Sequence, residues 1–257
     1  MIEKCCTVKT HQDRKIDIPG LVNARDLGNV SITMGRKFRR GVLIRGESPQ
    51  FLTTDGLNKM LEYGVSDLLD LRTETEVRSE GYGLLESSVN STVKIHHLPI
   101  IMDKNWSKDP IGSGKTHKKS VSFHNWLLEG GVASVVRLVD VINNAEGVCY
   151  IHCAAGKDRT GVVTSILYAL ADVQRCCIEQ DYLITNEYVI EVLNKLGKSK
   201  TYIRDLKKPD LHAQLNNPGE ITEFLDLVRG TSSIEEWLKS KGLSEESILK
   251  YREKVIK

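Results

Sequence analysis

The chain has 257 residues, of which 40% are hydrophobic, and 36 Lys and Arg stand against 34 Asp and Glu for a formal net charge of +2. That length supplies one good core and is too short for two comfortable ones, and a charge so close to balance gives no argument for nucleic acid as a partner. No apolar run reaches the roughly 18 residues of a membrane span. The opening Met1-Ile2-Glu3-Lys4-Cys5-Cys6 has no apolar signal core behind it, so a cytoplasmic location is expected, with export by another route left open. Six cysteines, two adjacent pairs among them, are expected to form no disulfide framework and to fit a reducing compartment.

In chain order, Val42-Leu43-Ile44 reads as a strand. Thr54 to Tyr63 carries Leu57, Met60 and Leu61 at helical spacing, with Thr53 or Thr54 as cap and Gly64 as stop. Val65 to Leu71 and Val93 to Leu98 read as strands. The tract from Asp103 to Lys119 is rich in lysine, contains glycine and lacks periodicity, which fits either a mobile lid over an anionic substrate or a plain solvated loop. Val132, Val135, Val136, Val139 and Ile142 then form one helical stripe. Gly147 to Ile151 reads as a short buried strand, and Val162 to Val173 as a buried helix. After about residue 174 the strand signals stop. Ile221, Phe224, Leu225 and Val228 share one helical face closed by Gly230, Ser233-Ile234-Glu235-Glu236 is a capping box, and Ser244 caps a last helix.

Strands separated by helical segments predict an α/β fold, a central mostly parallel sheet flanked by helices, with ligands at the carboxyl ends of the strands. The expected organisation is one domain over residues 1–257, an α/β core over about 20–173 and a helical C-terminal extension over about 174–257 packed on it.

The densest signal lies between the strand at 147–151 and the helix from 162: His152-Cys153-Ala154-Ala155-Gly156-Lys157-Asp158-Arg159-Thr160-Gly161. A strand, a tight loop and a buried helix aim backbone N–H groups and a helix N-terminus at one point, which favours an anion there. A free cysteine titrates near ~8.5, and such surroundings lower that to roughly 3.5–7.5, so Cys153 is expected to be a nucleophilic thiolate. Arg159 can fold back and grip two oxygens of a tetrahedral oxyanion with its planar fork. Gly156 permits the tight turn and Gly161 a close approach of the helix. The Thr160 hydroxyl is placed to steady the sulfur. The bland alternative for a cysteine before a helix is buried filler, the reading expected of Cys149, Cys176 and Cys177.

Cys153-X5-Arg159-Thr160-Gly161 preceded by His152 resembles the signature loop of the cysteine-dependent protein tyrosine phosphatase superfamily. The Gly156-Lys157-Asp158 interior is similar to the branch of bacterial tyrosine/serine phosphatases that also act on phosphoinositides. Further marks of that branch are Asn23-Ala24-Arg25-Asp26-Leu27-Gly28, Phe38 to Gly46, Asp67 to Glu76, and the Ile234-Glu235-Glu236-Trp237-Leu238 and Leu243-Ser244 pattern. The resemblance spans roughly residues 20 to 255. It implies a protein tyrosine phosphatase-like fold and a phosphatase acting through a phosphocysteine intermediate. The implied substrates are phosphotyrosine, with phosphoserine, phosphothreonine or phosphoinositides as further candidates, so the partners are phosphorylated proteins or lipids. The rival is a phospho-ligand binding module on the same scaffold with little turnover.

Two aspartates compete as general acid. Asp103 stands where the superfamily's mobile acid loop begins, and Asp158 stands inside the loop, where lipid phosphatases with a similar loop carry an aspartate; Asp158 is preferred. Ala154, Ala155, Gly156, Lys157, Thr160 and Gly161 are expected to contact the substrate, Lys157 either reaching additional phosphate groups or lying in solvent. His152 is expected to orient the loop. Arg25 and Asp26 either brace the site or form a buried pair with each other. No His, Cys and Asp cluster has metal-ligand spacing, so neither metal nor cofactor is expected.

Overall fold

The computed structural model describes residues 13–87, 93–101, 117–202 and 214–257, with only the backbone of 117–120. Five strands form one sheet: β1 (Arg25–Asp26), β2 (Leu43–Gly46), β3 (Val65–Asp70), β4 (Lys94–His97) and β5 (Val148–His152). Their spatial order is β1-β2-β5-β3-β4, and every pairing is parallel except β1 with β2. The strand expected at 42–44 begins and ends slightly later, and β1 is too short to carry a periodic signal. The α/β reading with a mostly parallel sheet holds.

The sheet is buried on both faces because its strands are apolar in both phases, as parallel strands covered by helices must be. In β5, Cys149 and Ile151 enter one apolar cluster while Val148 and Tyr150 enter the other. The second face is covered by α1 (Thr54–Glu62) and by α2 (Glu74–Glu80) and α3 (Leu84–Ser87). Thr53 caps α1 by accepting from the Gly56 N–H. Thr73 and Glu76 close a reciprocal capping box on α2.

The first face carries the larger core, built by α4 (His117–Glu129), α5 (Val132–Asn144) and α6 (Asp158–Leu170). Helix α4 takes in His117 to Lys119 of the tract read as an aperiodic loop. In α6, eleven of thirteen residues are buried, which is why its sequence shows no polar stripe. The helix begins at Asp158, one turn before the apolar run at Val162, so the end of the signature loop is itself helical.

Beyond residue 174 the described elements are all helices: α7 (Arg175–Ile184), α8 (Val189–Leu196), α9 (Glu220–Arg229), α10 (Ile234–Ser240) and α11 (Glu245–Val255). Ile221, Phe224 and Leu225 of α9 and Tyr251 of α11 share the large core with Val162 and Ile166 of α6. Ser233 accepts from the Glu236 N–H, which is one half of the expected box, and Ser244 caps α11 through the Ser247 N–H. Among the described residues no helix is long and apolar enough to cross a membrane.

The cysteine reading needs correction. Cys149 and Cys153 are free, but Cys176 and Cys177 on α7 are disulfide-bonded. Adjacency along the chain is no guide here, because a disulfide depends on which Cα atoms come within about 7 Å in the fold.

Candidate active site

The loop from Cys153 to Arg159 joins the carboxyl end of β5 to the N-terminus of α6, in the middle of the sheet. Its underside is occupied by donors from other segments. His152 Nδ1 lies 3.1 Å from the Cys153 carbonyl, and the Ser48 N–H donates to the Ala154 carbonyl at 3.0 Å. Asn23 Nδ2 donates to the Ala155 and Gly156 carbonyls at 3.3 and 3.4 Å, and Arg45 Nη2 donates to the Gly156 carbonyl at 2.8 Å. A trans peptide points its N–H opposite to its C=O. Four consecutive carbonyls turned outward therefore turn the N–H groups of 154–157 inward, toward the same side as the N-terminus of α6.

Two glycines make this possible in the places expected. Gly156 has φ +66, and a Cβ there would stand 2.3 Å from the Gly46 carbonyl. At Gly161 a Cβ would press on the Tyr182 ring at 2.9 Å, so only glycine lets α6 and α7 approach so closely.

Arg45 is anchored in turn by Asp181 of α7, which also receives Arg14 and Arg25, with N···O distances of 2.7, 2.9 and 3.1 Å. Burial opposes the Asp181 charge, but three guanidinium groups hold its carboxyl well below the usual range. Arg25 also donates to Asn23 Oδ1 at 2.5 Å, orienting the amide that holds the loop. Arg25 thus reaches the loop through Asn23 and is not paired with Asp26. Asp26 faces the other way on β1 and accepts from the Gly28 and Gly41 N–H groups at 2.5 and 2.8 Å and from the Tyr63 hydroxyl at 2.5 Å. Neither residue pairs with the other because successive side chains on a strand point to opposite faces.

His152 is fully buried, and burial lowers its imidazolium pKa to about 4, although nearby Asp70 works the other way. The ring is therefore neutral at pH 7. Because a carbonyl can only accept, the proton sits on Nδ1 facing Cys153, while Nε2 lies 3.8 Å from Asp70 Oδ1. This is the geometry of a loop-orienting residue.

Cys153, Lys157, Asp158 and Arg159 line one cavity of about 150 Å³. Arg159 is 6% exposed and forms a fork-to-fork pair with Glu76, at 2.5 Å from Nη1 to Oε2 and 2.7 Å from Nη2 to Oε1. Burial would raise the Glu76 carboxyl, but Arg159 and the Tyr202 hydroxyl hold it down at about 2. Glu76 was quoted only within a motif, yet its signal was present: Thr73-x-x-Glu76 straight after a buried strand places a carboxylate at the sheet edge that also carries the loop. Asp181 and Arg45 gave no such signal.

Lys157 is buried rather than solvated, lines the cavity, and places its Nζ 2.9 Å from Asp158 Oδ1. Among the described residues the buried Thr160 hydroxyl has no hydrogen-bond partner. The outer wall of the cavity is apolar: Val189, Val192, Leu193 and Leu196 come from α8, and Phe123 and Leu127 from α4. Asp103, the competing acid, lies outside the described residues.

Comparison with known proteins agrees with this geometry. Over 211 residues the chain is 23% identical to the triple specificity protein phosphatase PtpB of Mycobacterium tuberculosis, covering 71% of this chain and 73% of that protein. It is 26% identical over 171 residues to a provisionally named tyrosine-protein phosphatase of Cupriavidus necator, covering 64% of this chain and 60% of the other. The sequence model described as the tyrosine phosphatase family matches residues 16–257, nearly everything from β1 to the end of α11, and by that match the chain belongs to the tyrosine phosphatase family.

Proposed function

We propose that the chain hydrolyses phosphate monoesters of phosphotyrosine, and of phosphoserine, phosphothreonine or phosphoinositides to a lesser degree, through a phosphocysteine intermediate. The observation that carries this reading is that Cys153 and Arg159 line one cavity above a loop whose carbonyls are turned away from it. The inward N–H groups and the guanidinium N–H groups of Arg159 other than those given to Glu76 receive the three non-bridging oxygens of the phosphoryl group, and Cys153 Sγ attacks phosphorus from the base. As the P–O ester bond breaks, Asp158 gives its proton to the leaving oxygen. In the second step Asp158 takes a proton from water, whose oxygen attacks phosphorus. The S–P bond breaks, inorganic phosphate departs and the cysteine sulfur is restored. No redox partner enters either step.

The apolar wall from α8 and α4 supports an aryl leaving group over a polyhydroxylated ring, because a sugar-like headgroup would leave hydroxyls unpaired there. The shared core of α6, α9 and α11 supports treating the helical extension as part of one catalytic domain.

The decisive experiment is hydrolysis of para-nitrophenyl phosphate with vanadate and EDTA as probes. Turnover is expected to be abolished by vanadate, untouched by EDTA and absent in Cys153→Ser, while Cys153→Ser still binds phosphate esters. Arg159→Lys should be nearly as damaging, because a point charge replaces a bidentate fork. Binding of phosphate esters by the unaltered chain with no turnover would replace this reading by the binding module.

A further inference from the structure

The turn after α8 docks on the catalytic side of the molecule at two successive turns of α2. The Thr201 N–H and hydroxyl both donate to Glu80 Oε1, at 2.6 and 2.7 Å. One helical turn earlier on α2, the Tyr202 hydroxyl donates to Glu76 Oε1. The same phenol oxygen lies 3.4 Å from Arg159 Nη2 and accepts from it. The Tyr202 ring meanwhile packs beside Ala154, Val192 and Leu196 and forms part of the cavity lining.

Among the described residues Glu76 therefore has four donors. Its Oε2 accepts from Arg159 Nη1 and, at 2.7 Å, from the Thr73 N–H, while its Oε1 accepts from Arg159 Nη2 and Tyr202. Three of these groups belong to α6 or the start of α2. Tyr202 alone comes from the far side of the cavity, from the segment that carries the apolar wall. Without it, one carboxylate oxygen loses half of its donors, and the plane of the Arg159 fork is fixed from one side only.

We infer that Tyr202 is a positioning residue for the phosphoryl-binding arginine: its hydroxyl ties the apolar wall to Glu76 and thereby sets the plane in which Arg159 presents its remaining N–H groups. Burial keeps the phenol protonated and hence a donor. The contribution is to the transition state more than to substrate binding. The equatorial oxygens of a transferring phosphoryl group flatten into one plane, and a tilted fork meets them poorly.

The inference rests on the phosphatase reading above, and Tyr202→Phe tests it, since the ring and its packing remain. The kcat for para-nitrophenyl phosphate is expected to fall about 10- to 150-fold with KM within about twofold, the scale of one hydrogen bond to a charged group. Vanadate inhibition should weaken by a similar factor. In a Glu76→Gln background the Phe substitution should cost much less than it does alone, whether read by kcat or by vanadate affinity, because Tyr202 acts chiefly through that carboxylate and only its longer contact with Arg159 is left. An unchanged kcat, a rise in KM alone, or full additivity with Glu76→Gln would each overturn the assignment. If the unaltered chain fails to hydrolyse the ester, the phosphatase reading falls; if it is active and Tyr202→Phe matches it, this inference alone falls.

Discussion

The signature loop has two sides, and they are held in different ways. Underneath, backbone carbonyls of 153–156 meet donors from β2, β5 and the segments just before β1 and just after β2, and the Arg45–Asp181 pair with its companions Arg14 and Arg25 is almost entirely buried. At the mouth, Asp158 and Arg159 reach the cavity with side chains, and the Asp158 side chain keeps 30% of its surface in contact with solvent. The underside is thus set by groups that never meet the substrate, whereas at the mouth Arg159 is itself held by its buried pair with Glu76 and Asp158 is left partly in solvent. Buried charges that hold a loop are costly to remove singly, because each leaves an uncompensated partner. A partly solvated group at the cavity mouth, such as Asp158, can be changed at a smaller cost to the fold.

The sharpest test of the mouth is Asp158→Asn. Hydrolysis of esters with poor, high-pKa leaving groups should fall about 10²–10⁴-fold, far more than for good leaving groups, and the basic limb of the pH–rate profile should vanish. The melting temperature should barely move. Asp103→Asn should alter KM at most. If Asp103→Asn alone shows the leaving-group dependence, the acid belongs to the segment between β4 and α4, and the mouth described here is incomplete.

On the underside, Asp181→Ala should lower stability by about 3–5 kcal/mol, since three buried guanidinium groups lose their common counter-ion. Denaturant unfolding measures this directly. Activity should fall with it, because Arg45 no longer holds the Gly156 carbonyl. A stable Asp181→Ala protein with impaired turnover would erase the distinction between the two sides.

A smaller effect follows from His152. Its folded pKa of about 4 lies below the ordinary value of 6.5, so the unfolded chain binds a proton first as pH falls. Stability is therefore lost between pH 6.5 and 4, by on the order of 3 kcal/mol at the lower end, and the loss stops growing below 4. His152→Asn should flatten that limb in a melting-temperature series across pH. Glu76, held at about 2 against an ordinary 4.5, adds a separate loss only below about pH 4.5. An unaltered slope above pH 4.5 in His152→Asn would show that the imidazole is not neutral in the fold.

Much of this was readable before any fold was known, because it depends on short-range chemistry. The strands at 65–71 and 147–151, the stripe from Val132 to Ile142 and the signature loop are local patterns of apolar spacing, glycine and charge. Each was found close to where it was read. Strand β1 and helix α4 were not. Two residues cannot show a period, and α4 starts within a lysine-rich stretch whose pattern resembled a loop.

The sequence by itself determined the α/β architecture, the placement of Cys153 and Arg159 at the two ends of one loop, and the need for glycine at 156 and 161, since all of these follow from neighbours along the chain. Only the tertiary structure decided what holds the loop. Asp181 lies on a helix some 22 residues beyond Arg159, Arg45 on a strand more than 100 residues before it, and Glu76 and Tyr202 meet Arg159 from opposite directions. It also decided that Lys157 pairs with Asp158, that Arg25 and Asp26 part company, and that Cys176 and Cys177 each enter a disulfide. The reason is the same in each case: charge pairing, carbonyl capping and disulfides depend on distances of a few ångströms between segments remote in sequence, and periodicity carries no record of them.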